Sequence, residues 1–295
     1  MELRHLRYFV AVARELNFTR ASEKLNIAQP PLSRQIKDLE DELGAPLFIR
    51  RRSGLVLTEQ GHELLSYASQ ILSLVDTGVQ AITDKNKGLN GQLRIAVCEF
   101  LPQAGLGGIL SIFAAEHPGV SFDVLFCDSK QALDLVRSGE RDFALVLGDA
   151  PADLAVAMLY RDSCVAACRA EAFLEGTGTT VTTSSLVGHS LLLPSDDMLS
   201  GEIIERLPLS PAHPALRVAA SAGSPQFLLR LASDGMGIAI LPQSLIPQKH
   251  IGLAIHEISS PAVNVQYYMA YERAGQSTLK LAFAQFIQKQ RGNLL

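Results

Sequence analysis

The segment TRASEKLNIAQPPLSRQIKDLE, beginning at Thr19, reads as a short helix, a tight break and a second helix that opens on Gln29, Pro30 and Pro31. Along the second helix Leu32, Ile36, Leu39 and Leu43 are spaced by four, three and four residues, which gathers them on one face. Gln29, Ser33, Arg34 and Lys37 face elsewhere. One side of this helix must pack, and the other is free to meet a partner.

The start of the second helix follows from its residues. Ala28 in the N-cap position has no side-chain oxygen to accept bonds from the amides two and three residues on. Those positions are Pro30 and Pro31, which have no amide hydrogen to be capped and whose fixed φ suits a first helical turn. The missing cap therefore costs little. It leaves Gln29, Ser33 and Arg34 near a helix N-terminus, where the dipole and free donors favour phosphate. An amphipathic pair of this kind is also what an ordinary helical bundle uses on its surface, so the flanking segments decide between the two.

Upstream, LRHLRYFVAVAREL places Leu3, Leu6, Phe9, Val10, Ala13 and Leu16 at helical spacing. Asn17 or Thr19 can cap the next helix, which packs through Ala21 and Leu25, and a three-helix core results. Downstream, APLFIRRRSGLVLT holds two short β-rich runs around Arg50, Arg51, Arg52, Ser53 and Gly54. The last two are turn residues, so this is a hairpin with a basic tip. Beside a reading helix, such a tip grips phosphate or enters a minor groove.

The order of MELRHLRYFVAVA, the TRASEKL helix, AQPPLSRQIKDLEDELG, PLF and LTEQG over residues 1 to about 60 resembles the winged helix-turn-helix of the LysR-type transcriptional regulators. The resemblance implies DNA contacts from the N-terminal half of the second motif helix and from the wing. By position these are Gln29, Pro30, Pro31, Ser33 and Arg34, with Lys37, Arg51, Arg52 and Ser53 on the backbone. Ala28 departs from the serine of many members, and the two prolines make that departure tolerable. A dyad-symmetric double-stranded DNA site and contact with RNA polymerase are further implications.

Charge agrees with this division. The whole chain carries −4, but residues 1–58 hold ten basic against seven acidic side chains, so the deficit lies entirely in the remainder. A hydrophobic fraction of 47% with 19% charged residues belongs to well-packed globular domains. Charges interrupt any apolar run after MELRHLRYF, and no segment reaches membrane-spanning length. A cytoplasmic protein with no membrane partner is expected.

From Thr58 the pattern becomes one long helix to about Asp84, capped by Thr58 with Glu59 in its first turn. Leu64, Ala68, Ile71, Val75, Gly78 and Ile82 form one stripe, and Leu65, Leu72 and Val79 form a second, seven apart. So broad an apolar surface asks for a partner helix, and pairing about a twofold axis places two readers on one DNA face. Packing on its own chain is the alternative. The resemblance implies the first, commonly as a homodimer that assembles into a homotetramer.

After the polar stretch DKNKGLNGQ the chain alternates strand and helix. LRIAV, a helix from about Gln103 to Glu116, SFDVLF, a helix from Ser129 to Arg137 and DFALVL form a first set, and parallel pairing is expected. SCVAAC, SLLLP, a helix near Gly201 to Leu207, LRVAA, a helix from Pro225 to Ser233 and GIAIL form a second, before a return through VQYYMAYE and LKLAFAQFIQKQ. Two similar lobes with a late return resemble periplasmic binding proteins, the architecture of the LysR-type effector domain. The fold class is thus α/β, with a winged helix-turn-helix at 1–58, a linker helix and hinge at 59–90 and an effector domain at 91–295. Lobe I comprises about 91–161 with 261–295, and lobe II about 162–260.

In such sheets ligands bind at the carboxyl ends of strands. In the first lobe these are Glu99, Phe100, Leu101, Asp128, Ser129, Leu147 and Gly148; in the second, Ser195, Gly201, Ile203, Ser221 and Gly223. Ser129 serves equally well as a plain helix cap. Many family members have a small hydroxyl residue near position 99, some using it to hold a carboxylate, whereas this chain has Glu99. An ionised Glu99 facing the ligand disfavours an anion and suits an amine-bearing or neutral effector; a protonated or outward-facing one does not discriminate.

Catalytic, metal and cofactor motifs are not expected. The seven histidines show no HxxxH or HExxH spacing, no serine sits in a GxSxG elbow, and GLGG at Gly105–Gly108 reads as helix packing. Cys98 and Cys127 each close a strand and could be neighbours across the cleft, while Cys164 and Cys168 are three residues apart; all read as small buried hydrophobes. A ligand-responsive DNA-binding regulator and a small-molecule binder or enzyme whose N-terminal helices only mediate assembly remain as readings. Their DNA binding, and its dependence on salt, separates them.

Overall fold

The computed structural model describes residues 1–51, 54–83, 89–170, 180–186, 188–206, 217–247, 249, 252–259, 262–273 and 276–291. The chain divides into two compact units, one carrying Met1–Lys87, Arg137–Glu140 and Ala274–Ser277, the other Gly88–Val136, Arg141–Arg273 and Thr278–Leu295.

In the first unit α1 (Leu3–Glu15), α2 (Phe18–Lys24) and α3 (Gln29–Leu43) bury Leu6, Phe9, Val10, Val12, Ala13, Ala21, Leu32, Ile36 and Leu39 in one core. Leu3, Leu16 and Leu43, expected inside from their spacing, lie at the ends of their helices and are each 42% exposed. Val12 takes an inward place that the spacing did not single out. Two strands, β1 (Phe48–Arg51) and β2 (Gly54–Leu57), pair antiparallel as the wing, with Phe48 opposite Leu57 and Arg51 opposite Gly54.

The long helix α4 (Glu59–Thr83) starts where expected: the Thr58 hydroxyl accepts from the Gly61 amide at 2.9 Å and donates to the Pro46 carbonyl at 2.7 Å. A Cβ at Gly61 would collide with the Leu47 carbonyl, so α4 and the root of the wing meet backbone to backbone. Leu64, Leu65, Ala68 and Leu72 pack into the core of α1 to α3. Tyr67, Ile71, Leu74 and Val79 stay 38–60% exposed. The first half of the double stripe thus packs on this chain, while Ile71 and Val79 of its second half are exposed.

The strands of the second unit described here are β3 (Asn90–Cys98), β4 (Gly119–Cys127), β5 (Phe143–Leu147), β6 (Ala155–Arg169), β7 (Thr180–Val181), β8 (Ser190–Pro194), β9 (Arg217–Ala222), β10 (Ile238–Pro242), β11 (Leu253–Ile258) and β12 (Asn264–Tyr271). They form a mixed sheet in the order β4-β3-β5-β12-β6-β10-β8-β9, with β11 pairing β6 and β7 off this path. The triplets β4-β3-β5 and β9-β8-β10 are parallel, each ordered second, first, third, as strand-helix-strand units require. The parallel pairing expected of the strand-helix-strand units holds within each triplet and gives way to antiparallel pairing at the centre. There β6 runs antiparallel to β12 through Ala155–Ser163 and to β10 and β11 through Cys164–Arg169. The first half of β6, with β7 and β11, was not read from the sequence.

Helices α5 (Gln103–Glu116), α6 (Ser129–Arg137), α7 (Asp197–Arg206), α8 (Pro225–Ser233) and α9 (Thr278–Gln290) complete the unit. Every residue of β5 is buried, with Phe143, Leu145 and Leu147 on one face and Ala144 and Val146 on the α6 face. Phe283 of α9 lies 5.2 Å from Phe113 and 5.1 Å from Phe143 between ring centroids, mostly edge to face. The polar stretch before the sheet is shorter than expected, since β3 already begins at Asn90; residues 84–88 of it lie outside the described residues. Likewise α7 begins at Asp197 rather than near Gly201, and Leu207 falls outside the described residues. Gly107 and Gly108 of the GLGG run have open space where a Cβ would stand, so close packing does not account for them.

Asp142, 5% exposed, ties the sheet to the last helix. It accepts from the Arg94 backbone amide at 2.8 Å and from the Arg94 guanidinium and the Lys280 ammonium, each at 2.8 Å. Burial alone would raise its pKa, but Arg94 and Lys280 outweigh burial and hold the carboxyl below its ordinary value. The stabilisation is therefore present above the unfolded carboxyl's pKa of about 3.9 and is lost as pH falls through the lower folded value. Asp142→Asn, which removes the buried negative charge that Arg94 and Lys280 share, is expected to cost about 3 kcal/mol in urea unfolding at neutral pH. The difference between variant and parent should shrink toward acid, and an unchanged midpoint would contradict the assignment.

Candidate nucleic-acid interface and interlobe cleft

The break between α2 and α3 sets up an open helix end. Asn17 caps α2, its Oδ1 accepting from the Thr19 and Arg20 amides at 2.9 and 3.1 Å. Ala28 is extended (φ −73°, ψ 148°) and makes no side-chain cap, with prolines following at the first positions of α3. At the other end Gly44, with φ +67°, closes the helix. Pro30, Pro31, Arg34 and Lys37 are exposed, while Gln29 and Ser33 are half-buried.

The wing brings more positive charge. Arg50 and Arg51 are exposed on β1. Among the described residues Arg34, Lys37, Arg50 and Arg51 have no ion pair, whereas Lys24 is paired with Glu15. Arg52 and Ser53 lie outside the described residues. One positioning residue escaped the sequence reading: Glu40 Oε1 accepts from the Leu47 and Phe48 amides at 2.7 and 3.1 Å, fastening β1 to α3. An acid four residues before a Gly-Ala-Pro turn was its only signal.

In the second unit the strand-end residues sort into distinct groups. Glu99 follows β3 and extends to Gly223, after β9, where a Cβ would collide with its carboxylate; the Ser195 hydroxyl lies 3.3 Å from the same point. Ser195 and Ser221 join neighbouring loops, through Ser195 N donating to the Ala222 carbonyl at 3.0 Å and Ser221 Oγ donating to the Pro194 carbonyl at 3.1 Å. Gly148, with φ +103°, lies against the Met198 side chain of α7. Phe100, Leu101, Leu147 and Ile203 are at most 1% exposed and belong to the core. Gly201 sits in the second turn of α7 with open space beside it.

Capping is divided differently from expectation. Helix α6 begins at Ser129, so the cap is Asp128, whose Oδ1 accepts from the Gln131 amide at 2.8 Å. Ser129 is fully buried, with its hydroxyl beside the Cys98 thiol. Its backbone amide donates to Asp196 Oδ2 at 2.8 Å, while Asp196 Oδ1 accepts from the Met198 and Leu199 amides at 3.0 and 3.2 Å. One buried carboxylate thus serves the N-termini of α6 and α7 together. Asp196 was absent from the sequence reading because its role exists only once the two helices meet.

The Tyr267 hydroxyl donates to the Phe100 carbonyl at 2.8 Å, and its ring stacks on Tyr160 with centroids 4.4 Å apart. Together they hold the loop that carries Glu99. Cys98 and Cys127 are register partners on adjacent strands, rather than neighbours across the cleft. All four cysteines are buried free thiols; burial, and then Asp128, push the Cys127 thiol up to about 11, and burial raises the other three. None has the lowered pKa of a reactive thiol. Among the described residues no three His, Cys, Asp or Glu side chains gather to hold a metal, and no helix is long and apolar enough to cross a membrane.

Residues 3–62 match the family model for the bacterial regulatory helix-turn-helix protein of the lysR family, and residues 86–292 match the LysR substrate binding domain. The chain belongs to the LysR family. The uncharacterized HTH-type transcriptional regulator YnfL of Escherichia coli (strain K12) is 33% identical to it over 257 residues, covering 83% of each chain. The full-length BenM structure is 28% identical, with a TM-score of 0.59 over 98% of this chain and 96% of that one. A full-length OxyR variant from Pseudomonas aeruginosa, at 22% identity, shares the fold with a TM-score of 0.77 over 99% of this chain and 94% of that one. Like its LysR relatives this chain is a DNA-binding transcriptional regulator with a substrate-binding domain, and not an enzyme.

The Glu40 clamp has a measurable weight in this LysR reader. Glu40→Ala is expected to destabilise the N-terminal unit by about 2 kcal/mol, the usual worth of hydrogen bonds to a charged group. Amide exchange at Leu47 and Phe48 should quicken more than in the α1 core, and equal protection in both proteins would refute the clamp.

Proposed function

We propose that the chain controls transcription in response to a small-molecule effector bound between the two lobes of its C-terminal domain. Residues 1–58 read a dyad-symmetric double-stranded DNA site, 59–90 form the dimerisation helix and hinge, and 91–295 sense the effector. Lobe I is about 91–161 with 261–295, and lobe II about 162–260. The observation that carries the reading is the open α3 N-terminus beside a wing whose described arginines have no ion pair, on the same chain as a sheet with paired strand-end loops.

Gln29, Pro30, Pro31, Ser33 and Arg34 approach base edges, and Lys37, Arg51, Arg52 and Ser53 hold phosphate. The exposed Ile71, Leu74 and Val79 of α4 support pairing into a homodimer that assembles further into a homotetramer. Effector binding alters the angle between the lobes, shifts the population of tetramer states and so changes the spacing of readers on bent DNA, with RNA polymerase as the downstream partner. Cytoplasmic residence follows from this role. Glu99, Asp128, Ser129, Gly148, Ser195, Ser221 and Gly223 border the effector, with Phe100, Leu101, Leu147, Gly201 and Ile203 behind them.

Anisotropy titrations of the full chain on a palindromic site should give affinity that falls linearly on a log–log salt plot. Arg34→Ala is expected to reduce discrimination between sites, by about 1–3 kcal/mol at the position it reads. Arg51→Ala should weaken all sites alike and lower the salt slope by about 1. Absence of DNA binding at low salt would overturn the reading, and loss of only nonspecific affinity in both variants would remove Arg34 from base readout.

A further inference from the structure

We propose that the outer edge of β6, with the groove beside it, binds an extended segment of a partner protein that alternates apolar and acidic residues and adds a strand to the sheet. The surface uses none of the residues assigned to DNA or to the effector.

The first half of β6 is paired on one side only. Its ladder with β12 runs from Ala155 to Ser163, whereas β10 joins from Cys164 and β11 from Val165. Among the described residues no backbone group of Ala155–Tyr160 has a hydrogen bond outside the β12 ladder. Natural sheet edges are blunted by lysine, by proline or by a covering element, because bare N–H and C=O groups invite another strand. The run AVAMLY carries neither a charge nor a proline, and the register shift against β12 comes only after Met158.

A groove of about 460 Å³ follows this edge, with Val156, Ala157 and Met158 on one side and Gln285, Gln288, Lys289 and Arg291 on the other. Successive strand residues point to opposite faces, so a groove touched by three in a row runs along the backbone edge that they share. Register partners lie on the same face, which sorts the side chains. Val156 and Met158 stand opposite Ala270 and Tyr268 on the α6 face, where they are 39% and 41% exposed. Ala157 stands opposite Met269 on the face covered by Phe283 and Ile287 of α9.

An added strand therefore meets apolar side chains on one face and the α9 row Gln285, Gln288 and Lys289, followed by Arg291, on the other. Lys289 and Arg291 are exposed and, among the described residues, have no ion pair or hydrogen bond. A segment with apolar and acidic residues in alternation matches both faces while its backbone pairs the edge. A second copy of β6 fits less well. Twofold pairing would set Ala157 and Leu159 against the α9 row and bring two sets of Lys289 and Arg291 onto one face.

The test is fluorescence anisotropy of the full-length protein with a labelled peptide of about eight residues, valine alternating with glutamate, beside its valine–lysine counterpart. The glutamate peptide should bind about tenfold more tightly or better, and it should slow amide exchange within Ala155–Met158. N-methylation of all its valines or of all its glutamates strips the donors from one edge or the other, so one of the two changes should abolish binding and the other should not. Lys289→Glu with Arg291→Glu, both at the surface, should reverse the preference between the two peptides. No binding of the glutamate peptide, equal binding of both N-methylated forms, or a preference unmoved by the charge reversal would each overturn the proposal. So would protection of Ala155–Met158 by raised protein concentration alone, since the edge would then pair copies of this chain.

Discussion

The second unit depends on the antiparallel pairing of β6 with β12. A fifteen-residue strand spends its first nine residues against β12 and its last six against β10 and β11, with the changeover between Ser163 and Cys164. Each parallel triplet needs a neighbour along its inner edge to satisfy the backbone there. The two long strands supply that edge to both triplets at once. They leave the carboxyl ends of β3 and β8 near each other, which is why Glu99 meets Gly223 and Asp196 meets the start of α6. The ion pairs of Asp142 and the Phe283 cluster then fasten the last helix over the lobe that its strand has joined.

The elements that were legible in the sequence are those whose signals are local. Apolar spacing in α1 to α3, the uncapped Gln29-Pro30-Pro31 opening, the Thr58 cap and the bounds of α5 and α8 each depend on residues within a few positions of one another. Errors arose where a contact crosses the chain. Leu16 and Leu43 fit the helical period but fall at helix ends, where the core has run out. The first half of β6, AVAMLYRD, alternates between half-buried and exposed positions only as far as Met158; Leu159 and Tyr160 are then both buried, at a register shift against β12 that no local pattern announces.

Of the strand-end residues singled out as candidate effector contacts, Glu99, Ser195 and Gly223 do come together. Which acid caps which helix is not a sequence property. Ser129 has the composition of a cap, yet Asp128 precedes it and takes the amide, and Asp196 reaches over from the other lobe to take the Ser129 amide. Glu40 is a similar case in the first unit, an unremarked surface acid until the turn after α3 folds the wing back onto it.

Gly61 carries a mechanical consequence. With no side chain of its own at this point, α4 meets the Leu47 carbonyl backbone to backbone, with the Leu57 side chain against the same spot. The Thr58 hydroxyl ties the same corner to Pro46. The root of the wing is thus seated on the first turn of the long helix itself, and any substitution at Gly61 would have to part the two before a side chain could enter.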